Sequence, residues 1–200
     1  NSDLVGRVVN LASRSAKFVA EVGLSTRYPD DGGLFAAAAA ESERIAAAYE
    51  ACDFREAMRS IMTLADAANE FVERRAPWKL KKDPDRAGEL QDVCTVVLNL
   101  FHQSAVYLTP VLPELSAKAR ALLGSDMSRW SLAHTQLVGR PVQPFQHMMA
   151  RVEAAKVDEM FTPEAPQPSS PQLDAEPLAA ESPIDDFRKG DRGTPAGEHS

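Results

Sequence analysis

The 200-residue chain lacks several patterns that define large protein classes. No run of about 18 or more apolar residues occurs, so the sequence predicts no membrane-spanning helix. It has no Glu-x-x-His pair, CxxC motif, glycine-rich phosphate loop or nucleophile elbow. We expect each of the four scattered histidines to be a surface or a satisfied core side chain (His102, His134, His147, His199). The chain is therefore predicted to have no catalytic site, metal or cofactor of its own.

Cysteine is also scarce, with Cys52 and Cys94 far apart in the chain. Both lie within helix-like apolar patterns, and their separation alone defines no disulfide. We therefore predict two buried thiols and a cytoplasmic, reducing location. The chain begins at Asn1 rather than at Met, and its start has no short apolar segment with a cleavage site. We expect a fragment or a processed product without a signal peptide.

The acidic charge of the chain is unevenly distributed. Residues 161–200 contain eight acidic and three basic residues, which gives −5 of the net charge of −7. They also contain seven of the fourteen prolines, and this composition predicts a disordered linker or tail. Residues 1–160 form the other predicted unit, with a net charge close to neutrality. The overall acidity therefore does not exclude a nucleic-acid partner, because the electrostatic field at the contact surface, and not the net charge, determines whether a nucleic acid is attracted.

Residues 1–160 have helical periodicity, with no strand-like alternation of useful length. The predicted helical segments are 2–23, 34–52, 53–76, 87–108, 113–124 and 145–160. Asp53 and Glu56 form a capping-box pattern at the start of the third segment, and Pro77 must end it. The apolar stripe of the first segment includes Phe18 and Val22. The sequence predicts an all-α helix bundle of about five or six helices with short connections.

One polar face of the first helix contains Arg7, Asn10, Arg14 and Lys17. Asn10 is an unfavourable mid-helix residue, and Arg14 is its neighbour one turn later. Together they offer amide and guanidinium donors that suit the edge of an exposed nucleic-acid base. An ordinary solvated face is the alternative interpretation that spacing alone leaves open.

The stretch "ERRAPWKLKK" places Trp78 after Pro77 at the end of a long helix, among five cations. A ring at such a corner can stack on an unpaired base, while Lys79, Lys81 and Lys82 hold phosphates. The alternative is a Trp78 ring folded back to seal the end of the bundle. Trp130 has no comparable basic cluster, and we interpret it as a packing residue.

Four segments in this order resemble the anticodon-binding domain of bacterial methionyl-tRNA synthetase. They are "VVNLASR", "DFREAMRSIMTLADAANEFVERRAPWKLKKD", "YLTPVLPELSAKA" and "LVGRPVQPF", and the resemblance covers residues 1 to about 160. It implies a helix bundle of the class I aminoacyl-tRNA synthetase anticodon-binding type, which reads the CAU anticodon of a methionine-accepting tRNA. It also implies that Asn10 and Arg14 hydrogen-bond anticodon bases and that Trp78, with Pro77, stacks against the first of them. Lys79, Lys81, Lys82 and Arg7 are the candidate contacts to the RNA backbone.

The resemblance further implies a catalytic half that precedes this bundle, with HIGH-like and KMSKS-like motifs, ATP, magnesium and, in members that carry it, zinc. Neither motif is present here, so the chain is expected to bind tRNA as part of a methionine–tRNA ligase without aminoacylating it alone. Within the tail, "SPIDDFRKGDRG" resembles the entry to an extra C-terminal tRNA-binding domain, but the expected apolar strands do not follow.

The sequence leaves two alternative functions open. The chain is an anticodon-binding domain of another class I synthetase, such as the cysteine or leucine enzyme, or it is a helical protein-interaction module without RNA binding. The second alternative predicts a buried Trp78 and no salt-dependent binding to RNA. A chain with its own catalysis is a more distant third, because no site constellation supports it.

Overall fold

The computed structural model describes residues 4–149, and all regular elements in this range are helical. The α-helices are α1 (Asn10–Val19), α2 (Leu34–Ala40), α3 (Ser42–Glu50), α4 (Phe54–Arg75), α5 (Pro77–Leu80), α6 (Ala87–Leu108) and α7 (Pro113–Leu123). A π-helical segment, Leu4–Val9, leads directly into α1, and 3₁₀ turns occur at Pro84–Arg86 and Trp130–His134. The all-α prediction is confirmed, while the predicted tail, residues 161–200, lies outside the described residues.

Helix α6 forms the centre of the bundle and packs against α1, α2, α4, α5 and α7. Every residue from Val93 to Leu108 is buried, as expected for a helix that is enclosed on all sides. The predicted bounds of this helix, 87–108, agree with the structure. No helix within residues 4–149 is long and apolar enough to cross a membrane.

Polar side chains at four-residue intervals along α6 bind the backbone of the surrounding segments (Gln91, Thr95, Asn99, Gln103, Tyr107). Asn99 is the clearest example. Its amide nitrogen donates to the carbonyl oxygen of Leu137 at 2.9 Å, and its amide oxygen accepts from the Leu137 N–H at 2.6 Å. These side chains supply hydrogen-bond partners to backbone groups in the turns, loops and helix ends around α6.

Several predicted helix ends are confirmed. The Asp53 carboxylate accepts from the Glu56 N–H at 3.0 Å and caps the start of α4. Helix α4 ends at Arg75, directly before Ala76 and Pro77. Gly124 ends α7 in the left-handed conformation with a φ of 59°. In each case a local residue with a strong conformational preference determines the end.

The first helix ends earlier than predicted. Helix α1 stops at Val19, and the Gly23 N–H closes the following turn on the Val19 carbonyl at 2.7 Å. Val22 is 64% exposed, so its predicted place in the apolar stripe is wrong. Gly23 has a φ of 73°, and a Cβ there would lie 2.6 Å from the Arg140 carbonyl oxygen. The backbone at Arg140 and Pro141, which we call the 140 segment, therefore approaches too closely for any residue but glycine at this turn. Ser2, the predicted cap, lies outside the described residues.

The predicted helix 34–52 is broken in the structure. It divides at Glu41 into α2 and α3, which together with the four-residue α5 raises the number of α-helices in residues 4–149 to seven. Cys52 is exposed with a φ of 57°, so the prediction of a buried thiol is wrong there. The chain must reverse at this point to enter α4. Cys94 is buried as predicted, and burial raises the pKa of its thiol to about 12.

The predicted last helix, 145–160, is wrong in its first turn. Residues 145–149 are irregular. Met148 is buried, and the Lys118 ammonium donates to its carbonyl oxygen at 2.8 Å. A tertiary contact to α7 thus takes the place of a local helical hydrogen bond. Residues 150–160 lie outside the described part of the chain.

Candidate nucleic-acid interface

The Trp78 corner is formed by an abrupt change of direction between α4 and α5. Ala76 has a left-handed backbone, with φ 44° and ψ 62°, and its N–H donates to the Val72 carbonyl at 2.8 Å. Pro77 occupies the first position of α5, where its missing N–H is not needed. Pro77 and Leu80 are buried and anchor the corner, while Trp78 between them is half-buried. Trp78 is thus neither sealed inside the bundle nor fully exposed.

Arg14 lies against the Trp78 ring. The guanidinium carbon of Arg14 is 4.7 Å from the ring centroid, within the range of a cation–π interaction. One guanidinium nitrogen also donates to the Glu73 carboxylate at 2.9 Å. Two predicted site residues, which are 64 positions apart in the numbering, are therefore in direct contact. Spacing alone could not predict this contact, nor the part of Glu73 in it.

Asn10 is half-buried at the first position of α1, one turn before Arg14. The Ser13 hydroxyl lies 3.2 Å from the Asn10 backbone carbonyl oxygen and 3.5 Å from its side-chain oxygen. The rise between Asn10 and Arg14 is about 6 Å. Asn10 therefore lies one helical turn from Arg14, the residue that contacts the indole.

Arg7 lies in the π-helical segment, and its guanidinium donates to the Asp66 carboxylate at 2.7 Å. The Arg7–Asp66 and Arg14–Glu73 pairs each join the first helical region to α4 across 59 positions. Their common offset shows that the two helical regions run side by side in the same direction. Both arginines thus come from the polar face predicted for the first helix, and both are held by α4.

A second aromatic ring, Phe18, lies at this surface and was not predicted there. Phe18 was predicted as a core residue of the apolar stripe, but its side chain is half-buried. The ammonium nitrogens of Lys17 and Lys81 lie 5.1 and 5.3 Å from the centroid of its ring. Phe18 follows Arg14 by one helical turn, and Lys81 follows Trp78 by three residues. The sequence signal that could have indicated this ring is the aromatic Phe18 directly after Lys17 at the edge of the apolar stripe.

Of the remaining predicted cations, Lys79 and Lys82 are exposed on and directly after α5. Trp130 differs, because its ring packs on Tyr49 and Tyr107 and its indole N–H donates to the Ser42 carbonyl at 3.2 Å. The packing role predicted for Trp130 is confirmed. No group of three or more His, Cys, Asp or Glu within residues 4–149 could hold a metal ion.

One family model matches the sequence of this chain. The model for the anticodon binding domain of methionyl tRNA ligase matches residues 25–160, which is more than half of the chain. The chain belongs to this family. Pro77 and Trp78 of the anticodon-binding domain lie inside the matched range, whereas Asn10 and Arg14 precede it.

Relatives of the anticodon-binding domain extend the similarity to the first helix. A methionine–tRNA ligase of Rhodopirellula baltica is 53% identical over 96% of the chain. A methionine–tRNA ligase of Sorangium cellulosum is 48% identical, also over 96%. The chain covers 30% and 32% of these two relatives, so it spans about a third of their length.

Solved structures show the same fold. The apo crystal structure of Mycobacterium tuberculosis methionyl-tRNA synthetase matches with a TM-score of 0.66 and 26% identity, over 76% of this chain and 33% of that one. The same synthetase bound by methionyl-adenylate matches with a TM-score of 0.63 and 27% identity, over 72% and 30%. The described bundle therefore corresponds to about a third of that synthetase.

Proposed function

We propose that this chain reads the CAU anticodon of a methionine-accepting tRNA as part of a methionine–tRNA ligase. Family membership and the relatives of that name support the proposal. The observation that carries it is the Arg14 guanidinium over the half-buried Trp78 ring, with the Asn10 amide one turn away. An aromatic face and two hydrogen-bonding side chains on one surface are what recognition of an unpaired base requires.

Trp78 supplies the stacking surface for the first anticodon base, and buried Pro77 holds the backbone from which the ring projects. In the free protein, Arg14 lies over this ring and also binds Glu73. The incoming base takes the place of the guanidinium over the indole, and the guanidinium moves to the edge of the base. Stacking of one base on an aromatic side chain contributes about 1–3 kcal/mol.

Asn10 and Arg14 supply specificity through hydrogen bonds to base edges. Asn10 offers both a donor and an acceptor, whereas Arg14 offers donors alone. A mismatched base leaves one of these groups desolvated and without a partner, which costs about 1–3 kcal/mol. Discrimination against wrong anticodons therefore comes from that penalty more than from the strength of the cognate contacts.

Lys79, Lys81 and Lys82 supply the electrostatic part of binding, and Arg7 continues the basic surface along the first helical region. The three lysines are exposed next to the Trp78 corner. Contacts of this kind position the RNA backbone without reading its sequence. Binding should therefore weaken with salt even though the whole chain carries a net charge of −7.

The other steps of aminoacylation belong to a catalytic half of the full-length protein, which uses ATP and magnesium and, in some members, zinc. Residues 4–149 hold no cluster that fits a metal ion, and the sequence has no phosphate loop. This chain is therefore assigned tRNA binding alone and no step of adenylate chemistry. We further propose a cytoplasmic location, a recognition domain within residues 1–160 and a disordered linker over residues 161–200.

The deciding experiment is a titration of the 200-residue chain with labelled anticodon stem-loops at two salt concentrations. The panel contains CAU, three loops that each change one base of CAU, and one cysteine and one leucine anticodon loop. We expect the tightest binding for CAU and weaker binding at the higher salt concentration. Preference for another loop would favour a different class I synthetase. Absence of salt-dependent RNA binding would favour a protein-interaction module and overturn the proposal.

A further inference from the structure

Lys17, Phe18 and Lys81 form a cluster beside the proposed base site. The Phe18 ring is half-buried, and both lysine side chains are exposed. The two ammonium nitrogens lie 5.1 and 5.3 Å from the centroid of this one ring. Lys17 comes from α1 and Lys81 directly follows α5, so the cluster joins the same two elements as the Arg14–Trp78 contact. We call these three residues the Phe18 cluster.

The Phe18 cluster positions positive charge without neutralising it. A phenyl ring attracts an ammonium through its quadrupole but carries no net charge. Within residues 4–149, no carboxylate lies within 4.0 Å of either ammonium, whereas Arg14 is paired with Glu73. Both ammonium groups therefore remain available to donate hydrogen bonds to an anion. The ring restricts where the two ammonium groups lie.

We propose that the Phe18 cluster is a phosphate-binding subsite for the nucleotide adjacent to the base that stacks on Trp78. This inference rests on the proposed function and adds Lys17 and Phe18 to the interface. Phe18 follows Arg14 by four residues of α1, a rise of about 6 Å. One nucleotide advances a strand by roughly 3.4 Å along a regular duplex and further in an extended strand. The separation thus suits the backbone of a neighbouring nucleotide rather than a second contact to the same base.

The test compares five variants of the 200-residue chain, four with a single substitution and one with both Phe18→Leu and Lys81→Met, in titrations with CAU and mismatched stem-loops over a series of salt concentrations. Lys17→Met and Lys81→Met remove the charges and keep most of the apolar stems. Phe18→Leu keeps an apolar side chain and removes the ring. Arg55→Met is the control, because Arg55 is exposed at the other end of α4, about 30 Å from Arg75. Far-UV circular dichroism checks that each variant is folded.

Each lysine variant is expected to lower the slope of log K against log salt concentration by about 0.7, the value for one single-strand phosphate. The loss of affinity should be the same factor, about three- to tenfold, for CAU and mismatched loops. Arg55→Met should change neither quantity. In the Phe18→Leu background, Lys81→Met should weaken binding less than in the parent chain, since the ring no longer positions the ammonium.

Four results would overturn the subsite. They are unchanged salt slopes, a loss confined to the CAU loop, an equal effect of Arg55→Met, or a Lys81→Met effect that is independent of Phe18. If the parent chain still prefers CAU in any of these cases, the subsite fails and the proposed function stands. If the parent chain shows no preference for the CAU loop, but both lysine variants have a smaller slope of log K against log salt concentration than the parent, the proposed function fails and the phosphate subsite stands.

Discussion

The Arg14 guanidinium lies 4.7 Å from the centroid of the Trp78 ring and also donates to Glu73 at 2.9 Å. A cation–π contact at an exposed site contributes about 0.5–1 kcal/mol, and an exposed ion pair contributes about the same or less. Base stacking at about 1–3 kcal/mol is comparable or larger. Under the proposed function, the contacts that hold Arg14 in the free protein are therefore weak enough for an incoming base to replace them.

Replacement of Trp78 by alanine should weaken binding to the CAU stem-loop by at least about tenfold, because the stacking surface is lost. Trp78→Phe is the matched control and should retain most of the affinity, since it keeps an aromatic face. Fluorescence anisotropy of a labelled loop measures both variants, and circular dichroism verifies their fold. Unchanged affinity of a folded Trp78→Ala protein would contradict the assigned role.

Asn10→Ala and Arg14→Ala should each narrow the difference in affinity between CAU and mismatched loops. Each substitution removes a side chain that we propose penalises a wrong base, so discrimination should fall by about 1–3 kcal/mol for the base concerned. Arg120→Ala, at an exposed position of α7, controls for the loss of a charge elsewhere. The measurement is the ratio of dissociation constants for matched and mismatched loops. An undiminished ratio in both variants would argue against base-edge contacts.

Glu73→Gln should tighten RNA binding several-fold for matched and mismatched loops alike. The carboxylate competes for the Arg14 guanidinium and repels phosphates, and the amide does neither to the same extent. Glu70→Gln removes the same charge from an exposed position on the same helix, and its effect should be smaller. Weaker binding by Glu73→Gln would mean that the ion pair positions Arg14 for RNA instead of competing with it.

The helix ends that could be predicted from sequence are those with local signals. Asp53, Pro77 and Gly124 each act within one turn of the boundary they determine, so the ends of α4 and α7 are predictable. The break at Glu41 has no such signal, because the alanine-rich sequence around it favours helix on both sides. The early end of α1 depends on the 140 segment, whose position is tertiary information.

The candidate site was predictable only in its parts. Residue type and helical spacing indicate Asn10, Arg14 and Trp78, but the contact with Glu73 depends on how α1 packs beside α4. Apolar spacing predicts Phe18 in the core, because it does not distinguish the centre of a buried stripe from its edge. The apolar pattern also gives no sign that the polar side chains at four-residue intervals along α6 bind surrounding backbone, although that spacing is visible in the sequence. We call this row of side chains the polar ladder of α6.

Asn99→Leu tests the role of that ladder in stability. The substitution keeps a similar volume but leaves the N–H and carbonyl of buried Leu137 without their partner. Buried groups in this state cost about 1–3 kcal/mol each, so we expect a loss of at least about 2 kcal/mol in the free energy of unfolding. Gln136→Ala, at an exposed neighbouring position, should change it by less than about 0.5 kcal/mol. Urea denaturation measures both, and equal effects would contradict the role assigned to Asn99.

His102 should make the stability of the bundle depend on pH. It is fully buried at hydrogen-bond distance from the Ser125 hydroxyl, 3.2 Å away, and burial lowers its pKa to about 4. An unfolded histidine has a pKa near 6.5, so between about pH 6.5 and 4 the unfolded state binds more protons. The stabilisation is complete above pH 6.5 and is lost on acidification, by up to about 3 kcal/mol.

His102→Gln should remove this part of the pH dependence in denaturant titrations, whereas His134→Gln, at an exposed site, should not. An identical pH profile for His102→Gln and the parent chain would show that His102 does not titrate on unfolding.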